Sequence, residues 1–180
     1  ARNVLFQDFV DAAAKIAMEV KGDVEALKGK SHPGESRTVS EQLTHLIATI
    51  GENMAIRRAA ALAVDKGVVS SYVHTAARPG LGRIGVLVAL ESTGDAAKVG
   101  ALGKQIAMHV AAANPQFLTI ADVDAASLER EKAIYRDQAA SSGKPADIVE
   151  KMVLGRMRKY YEEVVLTEQA YIMDDKSKVS

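Results

Sequence analysis

The chain has 180 residues, with 23 Lys+Arg against 23 Asp+Glu and no cysteine. A hydrophobic share of 48% beside 26% charged residues excludes wholesale disorder, and the length suits one domain or two small ones with a real core. The missing thiol excludes disulfide scaffolds, thiolate zinc sites and cysteine nucleophiles, while the charge balance and the 4% aromatic content argue against a nucleic-acid binder.

In chain order, residues 3–21 read as an amphipathic helix. Leu5, Phe9, Ala12, Ala13, Ile16 and Val20 recur at three- and four-residue steps, and Gly22 is placed to stop it. Ala26 and Leu27 are expected in a brief turn. Residues 29–37, with Pro33-Gly34, read as a loop. Thr38-Val39-Ser40-Glu41 has the form of a capping box. Val39, Leu43, Leu46, Ile47 and Ile50 line the helix behind it, and Gly51 stops that helix. Residues 53–64 are ambiguous: Asn53 to Arg58 fits a strand, the alanines beyond suggest a helix, and periodicity alone does not settle it.

Residues 68–76 have β character, and Ile84 to Leu90 is a short apolar run of the kind found in buried strands. Together they predict a hairpin with a wide loop over Arg78 to Arg83. Residues 96–113 form the clearest helix, with Val99, Leu102, Ile106, Val110 and Ala113 on one face and Pro115 just beyond. Residues 122–140 and 145–160 predict two charged helices joined by Ser141-Ser142-Gly143-Lys144-Pro145. Their thin stripe of Leu128, Tyr135 and Ala139 against Val149, Met152, Val153, Met157 and Tyr160 reads as a helical hairpin with coiled-coil character. Residues 164–173 are expected to be extended.

Chemical motifs are sparse. Gly80-Leu81-Gly82-Arg83-Ile84-Gly85 matches G-x-G-x-x-G, but a dinucleotide fingerprint must open a helix, and this one leads into a strand. Gly29-Lys30-Ser31 lacks the earlier glycine of a P-loop, since Val24 stands there. His32, His45, His74 and His109 show no zinc-site spacing. His109 is expected near a helix C-terminus, where a partly charged imidazole interacts well with the dipole. His74 ends a strand beside a Gly-rich loop, a position enriched in function. Arg57-Arg58 fits an anion contact or a solvated, ion-paired edge. No serine sits in a G-x-S-x-G elbow, and no carboxylate pair stands out for acid–base work. No apolar run approaches the roughly 18–20 residues of a membrane span. Elimination favours a binding or regulatory role over an enzyme.

Several stretches together resemble the bacterial elongation factor Ts family, the guanine-nucleotide exchange factors of elongation factor Tu. They are Ile50-Gly51-Glu52-Asn53-Met54-Ala55-Ile56-Arg57-Arg58, Ser71-Tyr72-Val73-His74 with Arg83-Ile84-Gly85-Val86-Leu87-Val88, and Ile106-Ala107-Met108-His109-Val110-Ala111-Ala112 with Asn114-Pro115. Further on come Ser142-Gly143-Lys144-Pro145, Glu150-Lys151-Met152-Val153 with Gly155-Arg156-Met157, and Val165-Leu166-Thr167-Glu168-Gln169. Their order fits the family over essentially the whole chain.

The resemblance implies an α+β fold of two small antiparallel-sheet/helix core subdomains with an inserted antiparallel helical hairpin. Residues 1–66 would form the first subdomain, residues 67–115 with 161–180 the second, and residues 116–160 the hairpin. Asn53 to Leu62 would be a strand. The resemblance also implies a function: binding Tu·GDP, disturbing its magnesium and phosphate site, and speeding GDP release, with no bond made or broken.

By position, Arg2, Asn3, Ile50, Gly51 and His74 would face Tu, with Ile50 and Gly51 against the GTPase domain. Leu128, Tyr135, Val149, Met152, Val153 and Met157 would serve dimerisation through the hairpin. No cofactor, nucleic acid or membrane is implied, and the expected compartment is the cytoplasm; Ala1-Arg2-Asn3 has no signal-peptide layout. The family carries a helical module, core strands and a Thr-Asp-Phe-Val element ahead of Ala1, and a strand and helix beyond Ser180. The chain is therefore expected to be a piece with unpaired sheet edges. Without that Asp-Phe element, docking or dimerisation without exchange is the alternative expectation. Thr75 to Leu81 makes the hairpin loop longer than the short form common in the family.

Overall fold

The computed structural model describes residues 3–140, 143–174 and 176–180. It is a mixed helix and strand structure of the α+β class and divides into two compact units, Ala1–Lys104 and Gln105–Ser180.

In the first unit, α1 spans Val4–Glu19, α2 Val24–Gly29 and α3 Val39–Ile50. Each begins on a side-chain cap. Asn3 accepts from the Phe6 N–H at 3.2 Å, Asp23 accepts from Ala26, and Thr38 forms a full capping box with Glu41. These caps satisfy amide donors that a helix start leaves open. The three helices enclose a core of Phe9, Ile16, Ala17, Leu27, Val39 and Leu46. The sequence reading of a brief turn at Ala26-Leu27 is therefore corrected: α2 is a helix, and Leu27 is among the most buried side chains of the chain. The loop behind it closes on itself, with the His32 N–H donating to the Arg37 carbonyl. The His32 ring stacks on Phe9 at 5.7 Å.

Residues 53–62 form no strand. Met54, Ile56 and Ala59 pack on the helical core, but among the described residues no second strand pairs with them. An extended segment becomes a strand only when a neighbour takes up its amides and carbonyls.

Strands β1 (Gly67–Arg78) and β2 (Leu81–Glu91) make a two-stranded antiparallel sheet. Its loop is the two-residue connection Pro79-Gly80, not the wide loop expected, because the ladder resumes at Arg78 and Leu81 beyond a bulge between Ala76 and Arg78. Proline fixes φ at the first position, and Gly80 takes φ +79° at the second. Helix α4 (Ala96–Ala113) begins beside this hairpin. The Ser70 hydroxyl donates to the Gly100 carbonyl at 3.1 Å. A Cβ on Gly103 would lie 2.5 Å from the Ser70 oxygen, so the small residues of α4 allow the close approach.

In the second unit, α4 ends at Ala113, a 3-10 turn covers Ile120–Asp122, α5 spans Ala125–Ala140 and α6 spans Ala146–Val164. Ser141 and Ser142 of the connecting loop lie outside the described residues. Val123, Val164 and Val165 form a small core flanked by Phe117, Leu128, Tyr160 and Tyr161. Residues 164–173 are not the extended run expected. Val165 makes a single parallel bridge to Phe117, and Leu166–Glu168 then turns as a 3-10 helix.

The capping box of α3 predicts a pH dependence. The Thr38 backbone N–H, and then its hydroxyl, hold the Glu41 carboxyl below its ordinary value of 4.5. The folded-state value is depressed, so this contribution is present above pH 4.5 and is lost as pH falls through the lower, folded value. Glu41→Gln is expected to lower the urea midpoint at neutral pH. The gap from the parent chain should close at acid pH, and an unchanged gap there would refute the assignment.

Candidate functional site

The residues expected to face a partner fall in the first unit. Gly51 ends α3 in the left-handed region at φ +79°, its N–H bonded to the Ile47 carbonyl at 2.9 Å. No Cβ is free to adopt that φ without strain, which accounts for glycine here. Ile50 is half-buried and packs on the helical core, whereas Gly51 is exposed. The pair is thus an anchored residue followed by an exposed turn.

Asn3 is exposed, but its side-chain oxygen is engaged by the Phe6 N–H as the α1 cap. Arg2 lies outside the described residues.

His74 is exposed near the distal end of β1, opposite Ile84. Its Nδ1 lies 3.0 Å from the Tyr72 hydroxyl, and the two rings sit 6.0 Å apart at 40°. Thr75, next along, takes φ +51°, an uncommon value for a β-branched residue, just before the bulge. Arg78, past the bulge, pairs with Asp8 of α1 at 2.8 Å, tying the hairpin tip to that helix. Among the described residues no hydrogen bond or ring contact joins His74 to Asn3, Ile50 or Gly51.

The G-x-G-x-x-G stretch lies along the turn and β2 and opens no helix, so it has no helix N-terminus to offer a pyrophosphate. Among the described residues no group of three or more His, Asp or Glu side chains is placed to hold a metal, and no helix is long and apolar enough to cross a membrane. Arg57 and Arg58 are both exposed.

In the second unit the hairpin stripe divides. Val153 and Met157 are buried, while Leu128, Tyr135, Val149 and Met152 are half-buried. Arg136 and Glu150 pair across the two helices at 3.1 Å. Burial, reinforced by the nearby Glu131 carboxylate, pushes the Tyr135 and Tyr160 hydroxyls above the ordinary tyrosine range.

His109 lies near the C-terminal end of α4, as expected, but is not the partly charged imidazole facing the dipole. It is fully buried, its Nε2 lies 2.9 Å from Gln169 Oε1, and its Nδ1 accepts the Ile172 N–H at 3.3 Å. Gln169 Nε2 donates to the Glu163 and Ala113 carbonyls, which leaves its oxygen to accept from His109 and sets a neutral imidazole carrying its proton on Nε2. Residue-by-residue reading missed Gln169 as a buried partner. The only sequence signal for it was that both motifs, Met108-His109 and Glu168-Gln169, belonged to one family pattern.

Comparison with known proteins extends this picture. The family model described as "Elongation factor TS" matches residues 1–180. A protein of Rhodospirillum rubrum named elongation factor Ts is 59% identical over 181 residues, covering 100% of this chain and 59% of its own length. The namesake from Rhodospirillum centenum is 59% identical over 99% of this chain and 58% of its own length. That from Bartonella tribocorum is 53% identical over 97% and 57%. The chain thus spans less than two thirds of the length of these relatives. A match along every residue, with identity far above what a shared fold alone requires, shows that the chain belongs to the elongation factor Ts family.

Proposed function

We propose that the chain acts in protein synthesis as a guanine-nucleotide exchange factor, binding elongation factor Tu·GDP and promoting GDP release in the cytoplasm. The observation that carries this reading is the family match over residues 1–180, which includes the exposed Gly51 turn and the exposed His74. Exchange needs no reactive side chain. The factor must bind nucleotide-free Tu more tightly than Tu·GDP, and that difference in affinity is what expels the nucleotide. Gly51 and the anchored Ile50 would meet the GTPase domain, Asn3 and Arg2 would also contact Tu, and His74 would grip another Tu domain. The α5–α6 hairpin would serve as the homodimer contact through its half-buried Leu128, Tyr135, Val149 and Met152, with the buried Val153 and Met157 beneath them.

The test is the release rate of fluorescent GDP from a bacterial elongation factor Tu with and without the chain. Acceleration is expected. Binding without acceleration would favour a docking or dimerisation module, and no binding would overturn the assignment. His74→Ala is expected to weaken the complex by about 1–2 kcal/mol, near tenfold in Kd, as truncation of an interface anchor does. Unchanged affinity by calorimetry would remove His74 from the interface.

A further inference from the structure

We propose that Tyr72 is a positioning residue that fixes the His74 imidazole in its Nε2–H tautomer, so that the hairpin surface presents one N–H donor of defined direction. Tyr72 and His74 are two residues apart on β1 and therefore share a face of the sheet. Tyr72 is half-buried opposite Val86, while His74 is exposed opposite Ile84, so the phenol is the anchored member of the pair. Their 3.0 Å contact joins the Tyr72 oxygen to Nδ1. A phenol hydroxyl donates more strongly than it accepts, so in this assignment the bond runs from Tyr72 O–H to Nδ1 and the ring proton resides on Nε2. Among the described residues Nε2 makes no hydrogen bond, which leaves that donor for an oxygen acceptor outside the chain. The backbone beneath is tightly held as well. A Cβ on Gly82 would fall 2.7 Å from the His74 carbonyl oxygen, and the chain bends at Thr75 directly afterwards.

That this donor is used on Tu rests on the proposed function; the tautomer itself does not. The experiment therefore has two readouts. Long-range nitrogen–proton correlation spectra of the labelled full chain, at a pH where the ring is neutral, read the tautomer directly. His74 is expected to carry its proton on Nε2, and Tyr72→Phe is expected to move the Nδ1 signal and raise the share of the Nδ1–H form. A predominantly Nδ1–H ring in the parent chain, or identical spectra in the two chains, would overturn the proposal. A Tyr72 that merely packs would shift the urea midpoint and leave the Nδ1 signal in place.

The second readout is affinity for nucleotide-free Tu. Tyr72→Phe is expected to weaken it about three- to tenfold, the usual worth of one directed hydrogen bond, and to have no further effect in a His74→Ala background. An equal loss in that background would overturn action through His74. If the spectra respond as expected while neither variant changes Tu affinity, the tautomer assignment stands and the Tu-facing reading of His74 fails.

Discussion

Replacing Gln169 with leucine is expected to lower the stability of the second unit by about 3 kcal/mol, chiefly through the groups it leaves unpaired. Gln169 is 4% exposed and His109 is 0% exposed. The variant removes the acceptor of the fully buried His109 Nε2–H and the donor to the Glu163 carbonyl. Leucine keeps most of the volume, so the cavity contribution stays small and the loss reports on hydrogen bonding. Urea unfolding followed by circular dichroism measures the change. The double variant His109→Leu with Gln169→Leu should cost less than the sum of the single ones, because it removes both ends of the bond instead of stranding one. A Gln169→Leu chain within about 0.5 kcal/mol of the parent would refute the network as a stabilising element.

Leu27→Ala is expected to cost about 3 kcal/mol in the first unit. Leu27 is 2% exposed and packs with Phe9, Ile16, Val39 and Leu46. Helix α2 has only six residues, far below the length at which a helix holds on its own, so this one side chain is what docks it. Leu27→Met keeps the volume and should cost less than about 1.5 kcal/mol. The urea midpoint gives the energy, and hydrogen exchange across Val24–Gly29 shows whether α2 loses protection first. Unchanged protection in Leu27→Ala would mean that α2 is held by its Asp23 cap and not by the core.

The longer helices were legible in the residues, because their apolar stripes and stop signals are decided within a few positions, whereas the six-residue α2 was read as a turn. The Thr38–Glu41 box, the Gly51 stop and the span of α4 follow from side chains one turn apart. The family, too, was legible, from motifs spread along the whole chain. For the candidate site, the resemblance singled out His74, Ile50 and Gly51 together, and only the structure separated the exposed Gly51 from the core-facing Ile50.

The residues read along the chain thus settle local order: where the apolar stripes run, the capping box and glycine stop of α3, and that two β-rich runs meet in a hairpin. The rest came from packing between distant parts of the chain. It left residues 53–62 without a strand partner among the described residues, tightened the hairpin turn to Pro79-Gly80, buried Leu27, and joined His109 to Gln169 across 60 positions. The physical reason is common to all four. Strand pairing, burial and the protonation pattern of a buried imidazole depend on which distant atoms arrive as partners, whereas helix propensity and capping depend on near neighbours along the chain.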